Sequence, residues 1–148
     1  MVKIPKFLSD YALYIAFTQA WVATLGSLFF SEVLHFRPCV LCWYQRILMY
    51  PLSIILGIAI VRKDKNIAYY VLPITLLGAT IATYHYLLQM TPLAEVTPIY
   101  CSSYGPCSEI QARYLGFITI PFLSLTAFVV ISAMMIILIK STNNKNKE

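Results

Sequence analysis

Charge is the scarcest commodity in this chain. Only 11% of its 148 residues are Asp, Glu, Lys or Arg, and six are acidic. A soluble domain carries about 25% charged and about 45–50% apolar residues. Here the apolar share is 59% and the mean hydropathy +0.73. That excludes a soluble globular enzyme and leaves an integral membrane protein. The net charge of +5 does not make a nucleic-acid face, because the cations sit in small clusters between long apolar runs. The chain has no internal repeat, and its low-complexity piece is the tail Ser141–Glu148, which reads as a disordered cytoplasmic segment.

The absence of charge is concentrated in four runs. Tyr11–Ser31 has no Asp, Glu, Lys or Arg, enough for one membrane helix at about 20 residues per span. It is longer than the apolar region of a signal peptide, about 7–15 residues, and no small-x-small cleavage site follows, so it reads as an uncleaved first helix. Further helices are expected over about 43–61, 67–90 and 115–139. Pro51, Pro73 and Pro121 fall inside them, which lipid-embedded helices tolerate. The fold expected is all-α: one membrane domain over 1–148, a four-helix bundle with connections at about 32–42 and 91–114. Of the eleven Lys and Arg, eight lie in the N-terminus, the 62–66 loop and the C-terminal tail. By the positive-inside rule both termini are cytoplasmic and all four cysteines extracytoplasmic.

The most informative stretch is Arg37-Pro38-Cys39-Val40-Leu41-Cys42-Trp43-Tyr44-Gln45-Arg46. Pro38 suits the start of a helix, so the two thiols lie near a helix N-terminus, where the partial positive charge favours thiolate. Cys42 and Arg46 are four apart and share a helical face. The other two cysteines, Cys101 and Cys107, flank Gly105-Pro106 in the long polar segment. Four cysteines allow three pairings, and the spacing favours Cys39–Cys42 with Cys101–Cys107. Three readings stay open: loop staples, a four-thiolate zinc site, and a thiol–disulfide relay. A C-x-x-C bridge closes too short a loop to restrain the chain much, and an oxidising face disfavours free thiolates, so the relay leads.

A relay needs a terminal electron acceptor, and Arg46 suggests a quinone. An arginine in a membrane helix costs about 2.5–3.5 kcal/mol at mid-membrane, less near the end. It either snorkels to the interface or stabilises the Cys42 thiolate and donates to a quinone oxygen. His85, near the outer end of the third helix, reads as an interfacial or packed residue, or as a second donor to the quinone. Trp21, Trp43 and the tyrosines read as packing and interfacial belt.

These residues resemble the bacterial disulfide bond formation protein B (DsbB) family, and within it the short Gram-positive BdbC-like members. The likeness rests on Pro38–Arg46, on Tyr84-His85-Tyr86-Leu87-Leu88-Gln89, on Cys101 and Cys107, and on Leu115-Gly116 followed by Pro121. It covers residues 10 to 140. The resemblance implies a quinone-dependent thiol oxidase that reoxidises a secreted or membrane-anchored thioredoxin-like disulfide donor, with menaquinone favoured over ubiquinone. It makes Cys39 and Cys42 the quinone-linked pair, with Cys42 nearest the quinone, and makes Arg46 and His85 quinone-binding. Cys101 becomes the cysteine that forms the mixed disulfide with the partner, and Cys107 its companion. That second pair is closer together here than in longer Gram-negative members, which carry an extra amphipathic segment. The vitamin K epoxide reductase-like family runs similar chemistry, but there the redox motif follows the loop cysteines. The rival class is a membrane assembly protein whose disulfides only brace its loops.

Overall fold

A backbone in lipid has no water to satisfy its polar groups, so the uncharged runs must close their hydrogen bonds internally as helices. The computed structural model describes residues 6–91, 113–114 and 118–145. In order they form α1 (Lys6–Leu28), a π-turn (Phe29–Val33), α2 (Val40–Arg62), α3 (Ala68–Met90), β1 (Arg113–Tyr114), β2 (Ile118–Thr119) and α4 (Ile120–Lys145). All four helices are long and apolar enough to cross a membrane. At 1.5 Å per residue, a span of 23 residues covers about 35 Å, against about 30 Å of bilayer hydrocarbon.

Side-chain distribution fits a lipid surround. On α2, Ile47, Ile54, Ile58 and Val61 point outward, 53% to 83% exposed. The inside is packed through small residues and a few large ones. Ala12, Ala16 and Ala20, spaced by four along α1, are fully buried, the pattern that lets membrane helices approach closely. Gly78 serves the same end on α3: a Cβ there would overlap the ring of the fully buried Phe128 on α4. The same two helices share a buried hydrogen bond, from Ser132 Oγ to Thr75 Oγ1 at 2.8 Å.

Both described chain ends lie at one end of the bundle. Ser9 Oγ donates to Ser141 Oγ (2.6 Å), Tyr69 Oη to Asn143 Oδ1 (3.0 Å), and Lys65 pairs with Asp10 (3.5 Å). The α2–α3 turn belongs to this end. Lys63 caps α2 in a left-handed conformation (φ 52°), its N–H turned back to Ala59 and Ile60. The Asp64 carboxylate takes the Asn66 N–H (2.9 Å), tightening the turn. The Cys39 end of α2 is therefore the far end.

Several boundaries differ from those expected, and α4 also ends later, at Lys145 and not 139, so residues 141–145 of the tail read as disordered continue the helix. The first helix starts at Lys6 and, through the π-turn, reaches Val33, because Glu32 marks the edge of lipid without breaking the helix. The second begins at Val40, not Trp43, directly after Pro38-Cys39. The fourth begins at Ile120, not 115: Arg113 pairs with Thr119 and Tyr114 with Ile118 in a short antiparallel ladder. Pro121 thus sits in the first turn of α4, where its missing N–H costs nothing, and does not interrupt the helix. Most of the polar segment at 91–114, including Cys101 and Cys107, lies outside the described residues.

Candidate functional site

The site is built where α2 begins. Proline disfavours helix in the residue before it, and Arg37-Pro38-Cys39 runs without helix, Cys39 at φ −72°, ψ 172°. Cys39 is the N-cap: its carbonyl accepts the first helical bond, from Trp43 N–H at 3.1 Å. Cys42 follows in the first turn. Both sulfurs therefore sit at the positive end of the helix dipole. They are unbonded thiols 3.2 Å apart, so an approach of about 1 Å would bring them to disulfide length.

The two thiols have different surroundings. Cys39 is buried with Leu41 and Leu88, against Ile81 and Tyr84. Its Sγ lies 3.5 Å from Nε2 of His85 on α3. Nδ1 of that ring lies 3.0 Å from the side-chain amide of Gln45, one helical turn beyond Cys42. His85 is 1% exposed and Gln45 6%. The hydrogen bond shared with the Cys42 thiol is the main influence holding Cys39 well below the ordinary thiol range. The neighbouring His85 adds to it, and burial opposes both.

Cys42 faces the other way. It lines a cavity of about 270 Å³ between α1, α2 and the start of α4. Phe30, Phe36 and Tyr50 supply aromatic wall, and Gln45 and Arg46 the polar groups. Neither Cys39 nor His85 is among the lining residues. Arg46 Nη2 donates to the Ser27 carbonyl (3.1 Å), and its guanidinium lies over the Trp43 ring, 5.6 Å from the centroid. Among the described residues it has no carboxylate partner. The π-turn shapes the opposite wall by carrying Phe30 onto the cavity, with its ring stacked on that of Phe36.

The structure thus brings Cys39, Cys42, Arg46 and His85 to one end of the bundle and divides them between two sides. The sequence reading put the stabilised thiolate at Cys42, beside Arg46. In the reduced pair it is Cys39 that gathers the stabilising partners. His85, expected near a quinone, adjoins Cys39 instead of the cavity. Ligand-capable atoms of Cys39, Cys42 and His85 lie within 4.8 Å of one another, three of the four protein ligands that a closed structural zinc site takes. The four-thiolate reading and the Cys101–Cys107 pairing involve residues outside those described. Gln45 was missed by the sequence reading. Its signal was available: a polar residue three past Cys42, inside an apolar run.

Comparison with known proteins agrees with this chemistry. The family described as disulfide bond formation protein DsbB matches residues 9–138. The chain is 48% identical to the probable disulfide formation protein C 1 of Bacillus anthracis over 132 residues, 89% of this chain and 94% of that one. It is 50% identical to disulfide bond formation protein C of Bacillus subtilis strain 168 over 127 residues, 85% and 91% of the two chains. To a probable disulfide formation protein of Coxiella burnetii it is 44% identical over 146 residues, 97% and 98%. No solved structure gives a significant match. With four spans of membrane-crossing length and a thiol pair at the mouth of one of them, the chain belongs to the DsbB family of disulfide bond formation proteins, as a multi-pass membrane member.

Proposed function

We propose that the protein is a thiol oxidase of the extracytoplasmic membrane face, passing electrons from Cys39 and Cys42 to a quinone, menaquinone before ubiquinone. The observation that carries this is the cavity shared by Cys42 and Arg46. Its volume of about 270 Å³ falls just below the usual range of ligand cavities, about 300–1,000 Å³. Its walls are aromatic and apolar, and its one cation lacks a carboxylate among the described residues. Arg46 and Gln45 would hold the ring oxygens, and the aromatic side chains would flank the ring. A bound quinone supplies a sink for two electrons and two protons. The protein's own part is to hold Cys42 against that sink, to stabilise negative charge with Arg46, and to keep Cys39 within bonding reach of Cys42.

In this reading the Cys39–Cys42 disulfide is passed to Cys101 and Cys107, and Cys101 exchanges with a thioredoxin-like partner. Thiol–disulfide exchange between neighbouring pairs needs only thiolate attack and a leaving thiolate. The test is quinone reduction by the purified protein mixed with a reduced thioredoxin-like donor. Turnover is expected in the wild type and lost in Cys42→Ser and Cys101→Ser. Turnover that survives Cys101→Ser would overturn the two-pair relay. No turnover with either menaquinone or ubiquinone analogues, with cysteines that stay oxidised when quinone synthesis is blocked in cells, would favour disulfides that only brace the loops.

A further inference from the structure

Two polar side chains at this end, His85 and Gln45, are buried beside the thiol pair. Burying an imidazole and a carboxamide inside a membrane bundle is costly unless each finds a partner. Here the partners form a line: Cys39 Sγ, 3.5 Å to His85 Nε2, then His85 Nδ1, 3.0 Å to the Gln45 amide. This is the order of nucleophile, base and orienting group by which one class of thiol and hydroxyl nucleophiles is activated. The line crosses two helices, with Cys39 and Gln45 on α2 and His85 on α3.

We propose that His85 is the proton acceptor and donor for the Cys39 thiol, held in that role by Gln45 as a positioning residue. The proposal deepens the thiol-oxidase reading, yet it rests on exchange chemistry at Cys39 and needs no quinone. The step balances as follows. The proton on Cys39 Sγ passes to Nε2 of His85. The freed electron pair forms a bond to one sulfur of an attacked disulfide, whose S–S bond breaks, and the displaced sulfur leaves as thiolate with that pair. In reverse Cys39 is the leaving sulfur, and the proton returns to it from Nε2.

Gln45 can serve both ends of the transfer, because a half-turn of its amide exchanges oxygen and nitrogen. With Oε1 toward the ring it accepts from Nδ1–H and leaves the Nε2 lone pair facing Cys39. With Nε2 toward the ring, as in this structure, it donates to Nδ1, and the ring presents N–H to the sulfur. The other titratable or charged groups around the pair among the described residues are Cys42 and Arg46 on α2, Tyr84 on α3, and Arg37 on the connection.

The test reads Cys39 alone. In a Cys42→Ser, Cys101→Ser, Cys107→Ser background, the rate of iodoacetamide alkylation is followed against pH in detergent. The titration midpoint is expected below the ordinary thiol value of about 8.5. His85→Ala should move it up by a unit or more, about a fivefold loss of rate at the pH of the original midpoint. Gln45→Leu should move it the same way by less, and Gln45→Glu, which still accepts from Nδ1–H, should restore it. A midpoint unmoved by His85→Ala in protein whose thermal melt is unchanged overturns the proposal. So does a Gln45→Leu midpoint that matches the parent. Because no quinone is present, either failure leaves the quinone-reduction assay free to stand or fall separately.

Discussion

Arg46 sits where a guanidinium has two uses and one cost. Its hydrogen bond to the Ser27 carbonyl and its place over Trp43 hold it at the cavity wall. Hydrogen bonds to a charged group contribute about 1.5–3 kcal/mol. Arg46→His is therefore expected to raise the quinone KM about tenfold or more, since 1.4 kcal/mol is tenfold. Protein yield and melting should change little, and an unchanged KM would remove Arg46 from the site. Cys39 adds a pH dependence whose sign is fixed. A thiol held below its unfolded range stabilises the reduced fold fully above that range, and the contribution is lost as pH falls through the folded value. At this scale the proximity of Cys39, Cys42 and Arg46 was legible in the sequence, because a thiol pair and a cation stand out in an apolar run. Gln45 and the direction of His85 were not. Both are defined by a contact across 40 residues of chain between two helices, and no spacing within one helix reveals it.

At the scale of elements, what the charge pattern announces is where lipid begins and ends, which is a different boundary from where a helix does. The charge-poor runs located all four helices, yet α1 starts before its run and only with the π-turn passes its end, and α4 starts late because residues 118–119 are taken into a ladder. The π-turn after α1 has no sequence signature at all; its effect is to bring Phe30 toward Phe36. The contact between α3 and α4 is equally silent in hydropathy, since it depends on what Gly78 omits. Gly78→Ala is expected to destabilise the bundle by about 1–3 kcal/mol, the usual range for overpacking. Gly26→Ala, whose Cβ meets nothing within 4 Å, serves as the control, and the readout is thermal unfolding in detergent. Equal melts for the two variants would mean that the α3–α4 contact has room to spare.

For the molecule as a whole, the decisive feature is polarity from end to end. One end is tied by Ser9–Ser141, Tyr69–Asn143 and Lys65–Asp10, and holds the basic turn at Arg62–Lys65; the other holds the thiols. Combined with the positive-inside rule, this predicts that reporters fused to either terminus read the cytoplasm. A periplasm-type reporter such as alkaline phosphatase should be active after Thr91 and inactive at both ends, and activity at either terminus would invert the orientation. The thiol end is itself two-sided, Cys42 on the cavity and Cys39 on His85. A ring-shaped inhibitor lodged in that cavity would meet one sulfur and leave the other exchanging as before. Its competition would be with the electron acceptor alone, while the thiol donor would see only fewer working molecules. Kinetically the protein would behave as a shuttle with two counters, serving its two substrates in alternation and never needing both at once.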